Sequence, residues 1–96
     1  MKIRVLLSAL DDLDRGRQFY ARQGESIGDY FLDPLFSDID SLELYAGIHR
    51  KAFDFYRLLS KRFPYAVYYR VEGDVCVVFR VLDCRQKPER TEDTLK

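Results

Sequence analysis

Two apolar runs close to the C-terminus constrain this chain most. YAVYYRV over residues 65–71 and VCVVFRVL over residues 75–82 are separated only by Glu72, Gly73 and Asp74. β-branched and aromatic residues on either side of an acid–glycine turn specify an antiparallel hairpin. A three-residue loop pairs Val71 with Val75, Tyr69 with Val77 and Val67 with Phe79. One face then carries Tyr65, Val67, Tyr69, Val71, Val75, Val77, Phe79 and Val81. The other carries Ala66, Tyr68, Arg70, Cys76, Val78 and Arg80. The first face is apolar throughout and must be covered. The second, with both arginines, is the face left to solvent or a partner.

The first half of the chain supplies the cover. Residues 2–7 are rich in Ile, Val and Leu and read as a short strand. Ser8 as N-cap, with Asp11 and Asp12 after it, signals a helix reaching Arg22. Leu10, Leu13 and Tyr20 give it an apolar stripe, and Gly24 ends it. From Glu25 to Tyr45, Ile27, Phe31, Leu35, Ile39, Leu42 and Tyr45 recur at helical spacing. Pro34 interrupts that pattern and predicts a kink or a break into two helices. From Ala52 the period changes to two, which predicts a strand over residues 52–60. Residues 61–64 form a connection, with Pro64 opening the next strand. The polar segment 87–96 reads as a frayed tail. The expected fold is α+β: a small antiparallel sheet with two N-terminal helices packed on one face, in the order β-α-α-β-β-β. It forms a single domain over residues 1–96.

Charge adds an asymmetry that the zero net charge hides. Residues 1–47 carry five basic and nine acidic side chains; residues 48–96 carry eleven basic and seven acidic. The second half is therefore suited to an acidic partner. A pI near 6.6 is far from that of a generic nucleic-acid binder. No uncharged run approaches the roughly 20 residues of a membrane span, so no membrane is expected. The opening residues lack the apolar core of a signal peptide. Cys76 and Cys84 lie too far apart along one strand to bridge, which fits a reducing, cytoplasmic setting. His49 is the only histidine, and no spacing resembles a metal site. Neither a metal nor a cofactor is expected.

The stretch KRFPYAVYYRVEGDVCVVFRVLDCRQKP over residues 61–88 combines a basic-Phe-Pro-Tyr turn, an aromatic strand, an acidic-Gly hairpin and an apolar strand ending at Cys-Arg. Together with the preceding helices, it resembles the RelE/ParE toxins of type II toxin–antitoxin modules, and is closer to the ParE branch. The resemblance implies a growth-inhibiting toxin, of the plasmid stabilisation type, neutralised by a cognate antitoxin. One branch of that family poisons DNA gyrase; the other enters the ribosome and cleaves mRNA.

The cleaving branch holds phosphates with basic side chains and needs a proton carrier. Here Arg85 matches the arginine after the last strand, and Lys61 and Arg62 supply charge before the aromatic strand. The residue after Tyr65 is Ala66 rather than arginine, and no aromatic or histidine follows Arg85. These departures favour gyrase inhibition without catalysis. An mRNA endonuclease, acting with the ribosome, is the alternative. A member that retains only antitoxin binding is a second one. Whether the chain is an enzyme is left open, and catalytic residues are left unassigned. Candidates for target or antitoxin contact are Lys61, Arg62, Tyr68, Arg70, Arg80 and Arg85. Tyr65 and Tyr69 read as core, and His49 as a loop residue. Self-association as a homodimer is left open.

Overall fold

The computed structural model describes residues 1–96. Its elements are β1 (Lys2–Val5), α1 (Leu7–Ala21), α2 (Glu25–Tyr45), β2 (Lys51–Ala52), β3 (Phe55–Leu59), β4 (Tyr65–Glu72), β5 (Val75–Asp83) and α3 (Pro88–Leu95). The strands form one sheet in the order β1-β5-β4-β3-β2. The architecture is α+β, with α1 and α2 on one face of the sheet, as the sequence predicts. No helix is long and apolar enough to cross a membrane.

One edge of the sheet departs from the antiparallel expectation. β1 pairs with β5 in parallel, so the sheet is mixed. The helical hairpin α1–α2 has room to carry the chain across the sheet, as a parallel connection requires. β1 lies beside the last strand, with Lys2 opposite Val75 and Val5 opposite Val78.

The 4–5 hairpin is one residue tighter than expected. Glu72 pairs with Val75, so the turn is Gly73–Asp74, with Gly73 at φ +64°. That shift turns the first part of β5 over: Cys76 and Val78 face the helices, and Phe79 joins the opposite face. A bulge at Tyr68/Tyr69 then restores the expected phase, so Val81 returns to the helix side. The segment expected as one strand over residues 52–60 is a second hairpin. Phe53 (φ +55°) and Asp54 (φ +68°) make the turn between β2 and β3. Positive φ at both central residues is the geometry that matches strand twist.

The helix-side core joins Ala9, Leu13 and Tyr20 of α1 and Phe31, Leu35, Ile39 and Leu42 of α2 to the sheet residues Leu58, Tyr65, Val67, Tyr69, Cys76, Val78 and Val81. Pro34 is accommodated inside a single α2. The two helices approach closely at Gly28, where an added Cβ would lie 2.8 Å from the Arg17 carbonyl oxygen. Ser8 does not cap α1. Leu6 is the N-cap, and the Ser8 hydroxyl donates to the Phe79 carbonyl at 2.7 Å. The opposite sheet face has its own small core of Phe55, Ala66, Tyr68 and Leu82. Leu95 of α3 packs there, so residues 88–95 are an ordered helix rather than a frayed tail.

The one buried carboxylate ties the layers together. Asp12 sits in the apolar stripe of α1 with 6% of its surface exposed. It accepts both Nε and Nη2 of Arg80 at 2.7 Å and the backbone N–H of Val81 at 2.9 Å. Removing it strands a partly buried guanidinium and a buried N–H, at a cost of about 2–4 kcal/mol. Asp12→Ala is therefore expected to lower stability by about that amount in urea unfolding, and Asp12→Asn by less. Equal stability of Asp12→Ala and the parent chain would show that the contact carries no weight.

Candidate functional site

The candidate residues separate into two groups. Lys61, Arg62 and Arg85 are exposed and rim one aromatic cluster at the end of the molecule where α1, α2 and the β3–β4 connection meet. Phe63 packs on Tyr20 (ring centroids 4.8 Å), Phe31 (5.1 Å) and Tyr30 (5.8 Å). Arg62 reaches the Tyr30 hydroxyl and lies 5.9 Å from its ring centroid. The Cys84 N–H donates to the Pro64 carbonyl at 2.7 Å, which brings Arg85 alongside this connection. The Arg85 guanidinium sits 5.8 Å from the Phe19 ring centroid. Phe19 and Tyr30 are 44% and 45% exposed, so the cluster presents aromatic surface between its cations.

Arg85 is held in place by its neighbour. Its Nε and Nη2 donate to the two carboxylate oxygens of Asp83 at 3.0 and 2.8 Å, and its own backbone N–H donates to Asp83 at 2.8 Å. The hydrogen bond from Arg85 holds the Asp83 carboxyl below its ordinary range, against the opposing effect of burial. Lys61 and Arg62 have no acid within salt-bridge distance; neither takes part in any of the five ion pairs of the chain. Tyr65, which backs this end, is core. Burial, followed by the nearby Asp83 charge, pushes its phenol up to about 12.

Tyr68, Arg70 and Arg80 belong to the other sheet face, and the structure alters how each is read. Tyr68 is 3% exposed and accepts Arg57 Nε at 3.0 Å, so its ring is not an open stacking platform. Arg57, missed in the sequence, also reaches the Cys84 sulfur at 3.5 Å. Arg70 is exposed and lies over the Phe55 and Phe79 rings at 4.1 and 5.5 Å. Arg80 is committed to Asp12. The face expected to be open therefore carries an apolar layer, roofed in part by α3. A cavity of about 590 Å³ lined by Ser8, Phe53, Arg70, Phe79, Arg80 and Leu95 remains beneath it.

His49 is a structural partner rather than a free loop residue. Its Nδ1 bonds the Tyr69 hydroxyl, which also accepts the Gly47 N–H at 2.9 Å. Burial pulls the His49 pKa below its ordinary value of 6.5, opposed by the Asp38 charge. Because the folded value is the lower one, the unfolded chain takes up the proton first as pH falls. Stability from this group is therefore present above about pH 6.5 and lost between that value and the lower folded one.

These side chains offer cation and aromatic contact. The class is that of a small α+β protein with a cationic, aromatic end. The chain belongs to the ParE toxins of type II toxin–antitoxin systems, parDE, whose family model matches residues 3–88. Its fold is shared with a solved structure titled "Chromosomal ParDE TA system from P. aeruginosa", at a TM-score of 0.78 and 21% identity. The match covers 84% of this chain and 92% of that one. No curated protein matches the sequence.

Urea unfolding followed from pH 7.5 to 5.0 tests the histidine. The parent chain is expected to lose stability across this range more steeply than His49→Gln, with the difference opening below about pH 6.5. Parallel curves would show that His49 does not titrate with folding.

Proposed function

We propose that this ParE-family toxin stops bacterial growth by binding DNA gyrase, and that a cognate antitoxin neutralises it by covering the Lys61–Arg62–Arg85 end. The observation that carries this reading is that exposed cations alternate there with exposed aromatic rings. Arginine and tyrosine are over-represented among residues that dominate interface energetics, because each combines a large contact area with directed hydrogen bonds. Their charge also steers an acidic segment toward the site. Asp83 fixes the Arg85 guanidinium before any partner arrives, which lowers the ordering cost of binding. The reading involves no covalent step: the toxin acts by occupying its target.

The experiment is gyrase supercoiling in the presence of folded, antitoxin-free chain. Inhibition is expected, with relief by the cognate antitoxin. Charge removal in the double variant Arg62→Ala/Arg85→Ala is expected to weaken inhibition at least about tenfold while the fold persists, the size of one lost interface anchor. Normal supercoiling with folded chain overturns the reading. New mRNA ends in a translation reaction would replace it with the endonuclease reading, and normal growth on strong expression with the member that only binds antitoxin.

A further inference from the structure

β3 is paired along its whole length with β4, but on its other side only at its start. β2 pairs with Phe55 and Tyr56, and the bond beyond that ladder runs from the Arg57 N–H to the Arg50 carbonyl at 2.9 Å. The chain before Arg50 then leaves the sheet edge, where His49 bonds the Tyr69 hydroxyl on the helix side. The register fixes which groups are left over. The Ser60 N–H donates to the Tyr65 carbonyl, and Leu59 lies opposite Ala66. Main-chain groups alternate in direction along an antiparallel strand, so those of Ser60 and Leu58 point at β4 and those of Arg57 and Leu59 point away from it. No strand faces Leu59 on that side, and its N–H bonds no other backbone group there. Unpaired edge groups of this kind are a template for one more strand.

A groove of about 550 Å³ follows this edge, lined by Arg57 and Leu59 of β3, Arg50, Lys51 of β2, Lys61 and Asp38 of α2. Arg50, Lys51 and Lys61 are exposed and take part in none of the ion pairs of the chain. Asp38 is the one carboxylate among the lining residues. Leu59 is 55% exposed and adds an apolar contact beside its own free main-chain groups. Charge selects the occupant. A second copy of this chain offers cations at either edge of its sheet, Lys2 and Arg4 on β1 and the same residues at β3, and like charges brought opposite each other destabilise a strand pair. A small anion would answer the cations and leave the Leu59 C=O and side chain bare. An acidic strand meets all three.

We propose that an extended, acidic segment of a partner protein adds a strand to β3 in this groove, pairing its main chain with the Leu59 N–H and C=O and placing its carboxylates on Arg50, Lys51 and Lys61. Main-chain bonds supply the affinity of such an added strand, and its alternate side chains supply the specificity. Lys61 belongs to this groove and to the aromatic end alike, so a segment bound here leads the partner chain toward Arg62. The proposal does not depend on gyrase being the target.

The test is titration of the full chain with a short, end-blocked peptide that alternates glutamate and valine, read by amide chemical shifts and hydrogen exchange. Saturable binding with a Kd below about 1 mM is expected, with the Leu59 amide slowed in exchange and its neighbours in β3 shifted. Two control peptides separate strand addition from charge attraction. One alternates lysine and valine; the other keeps glutamate and valine but is N-methylated at every residue. Each is expected to bind at least about tenfold more weakly. Lys51→Glu, an exposed substitution, should weaken the acidic peptide about tenfold. Absence of saturable shifts overturns the proposal, as do shifts confined to β1 or to Arg62 and Arg85. Equal binding of the N-methylated peptide does the same, since charge alone would then account for the affinity. The parent chain with the three peptides decides the matter even where the variant is poorly folded.

Discussion

The contact on which the fold depends is the one between Asp12 and the bulged part of β5. An extra residue in β5, Phe79, falls out of the ladder with β4, and two residues further on, where β1 no longer covers the edge of β5, the Val81 N–H donates to Asp12. An unpaired buried donor there would cost on the order of 1–3 kcal/mol. Asp12 satisfies it and, through Arg80, neutralises its own charge within 2.7 Å. Helix, sheet and bulge are thereby fixed in one register. The same bulge decides which residues of β5 face the helices, so the composition of both apolar layers follows from it.

That register also positions the cationic, aromatic end. Once β5 is set, Asp83 and Arg85 emerge beside the β3–β4 connection, where Phe63 anchors into Tyr20 and Phe31. The cations sit on short connections pinned to the core by Phe63 and by the Cys84–Pro64 hydrogen bond, and Arg85 is held by two hydrogen bonds to Asp83. Lys61 and Arg62 extend from the same connection. The groove at the β3 edge begins at Lys61, so both cationic regions share one residue. Their cations answer to the +4 balance of the second half of the sequence, while the acidic surplus of the first half is spread along α1 and α2.

The helices, the hairpin and the layer that covers it were legible because each rests on local periodicity or turn chemistry. What escaped was set by contacts distant in sequence. The hairpin register turned on whether Glu72 belonged to the loop or to the end of β4. With Cys76, Val77, Val78 and Phe79 all apolar, the first half of β5 gave no polar residue to mark its outer face. Nothing local announces that β1 lies parallel beside β5. Asp12 read as a helix-start acid, although its place three residues after Ala9 and four before Gly16 put it on the buried stripe. Arg80 read as exposed because its partner is 68 residues away. Residues 88–95 read as tail because only Thr91 and Leu95 tie that helix down. Of the proposed contacts, Lys61, Arg62 and Arg85 were legible from one motif. Phe19, Tyr30 and Asp83, which make those cations a surface, were not.

Hydrogen exchange of the toxin, free and bound to its cognate antitoxin, tests the central claim most directly: the cationic, aromatic end is where partners bind. Slower exchange in the complex is predicted at residues 61–65, at 84–86 and in the last turn of α1. The Phe53–Asp54 turn at the far corner of the sheet is predicted to stay unchanged. Protection concentrated at that turn and along β2, with residues 61–65 and 84–86 exchanging as in the free chain, would contradict the account.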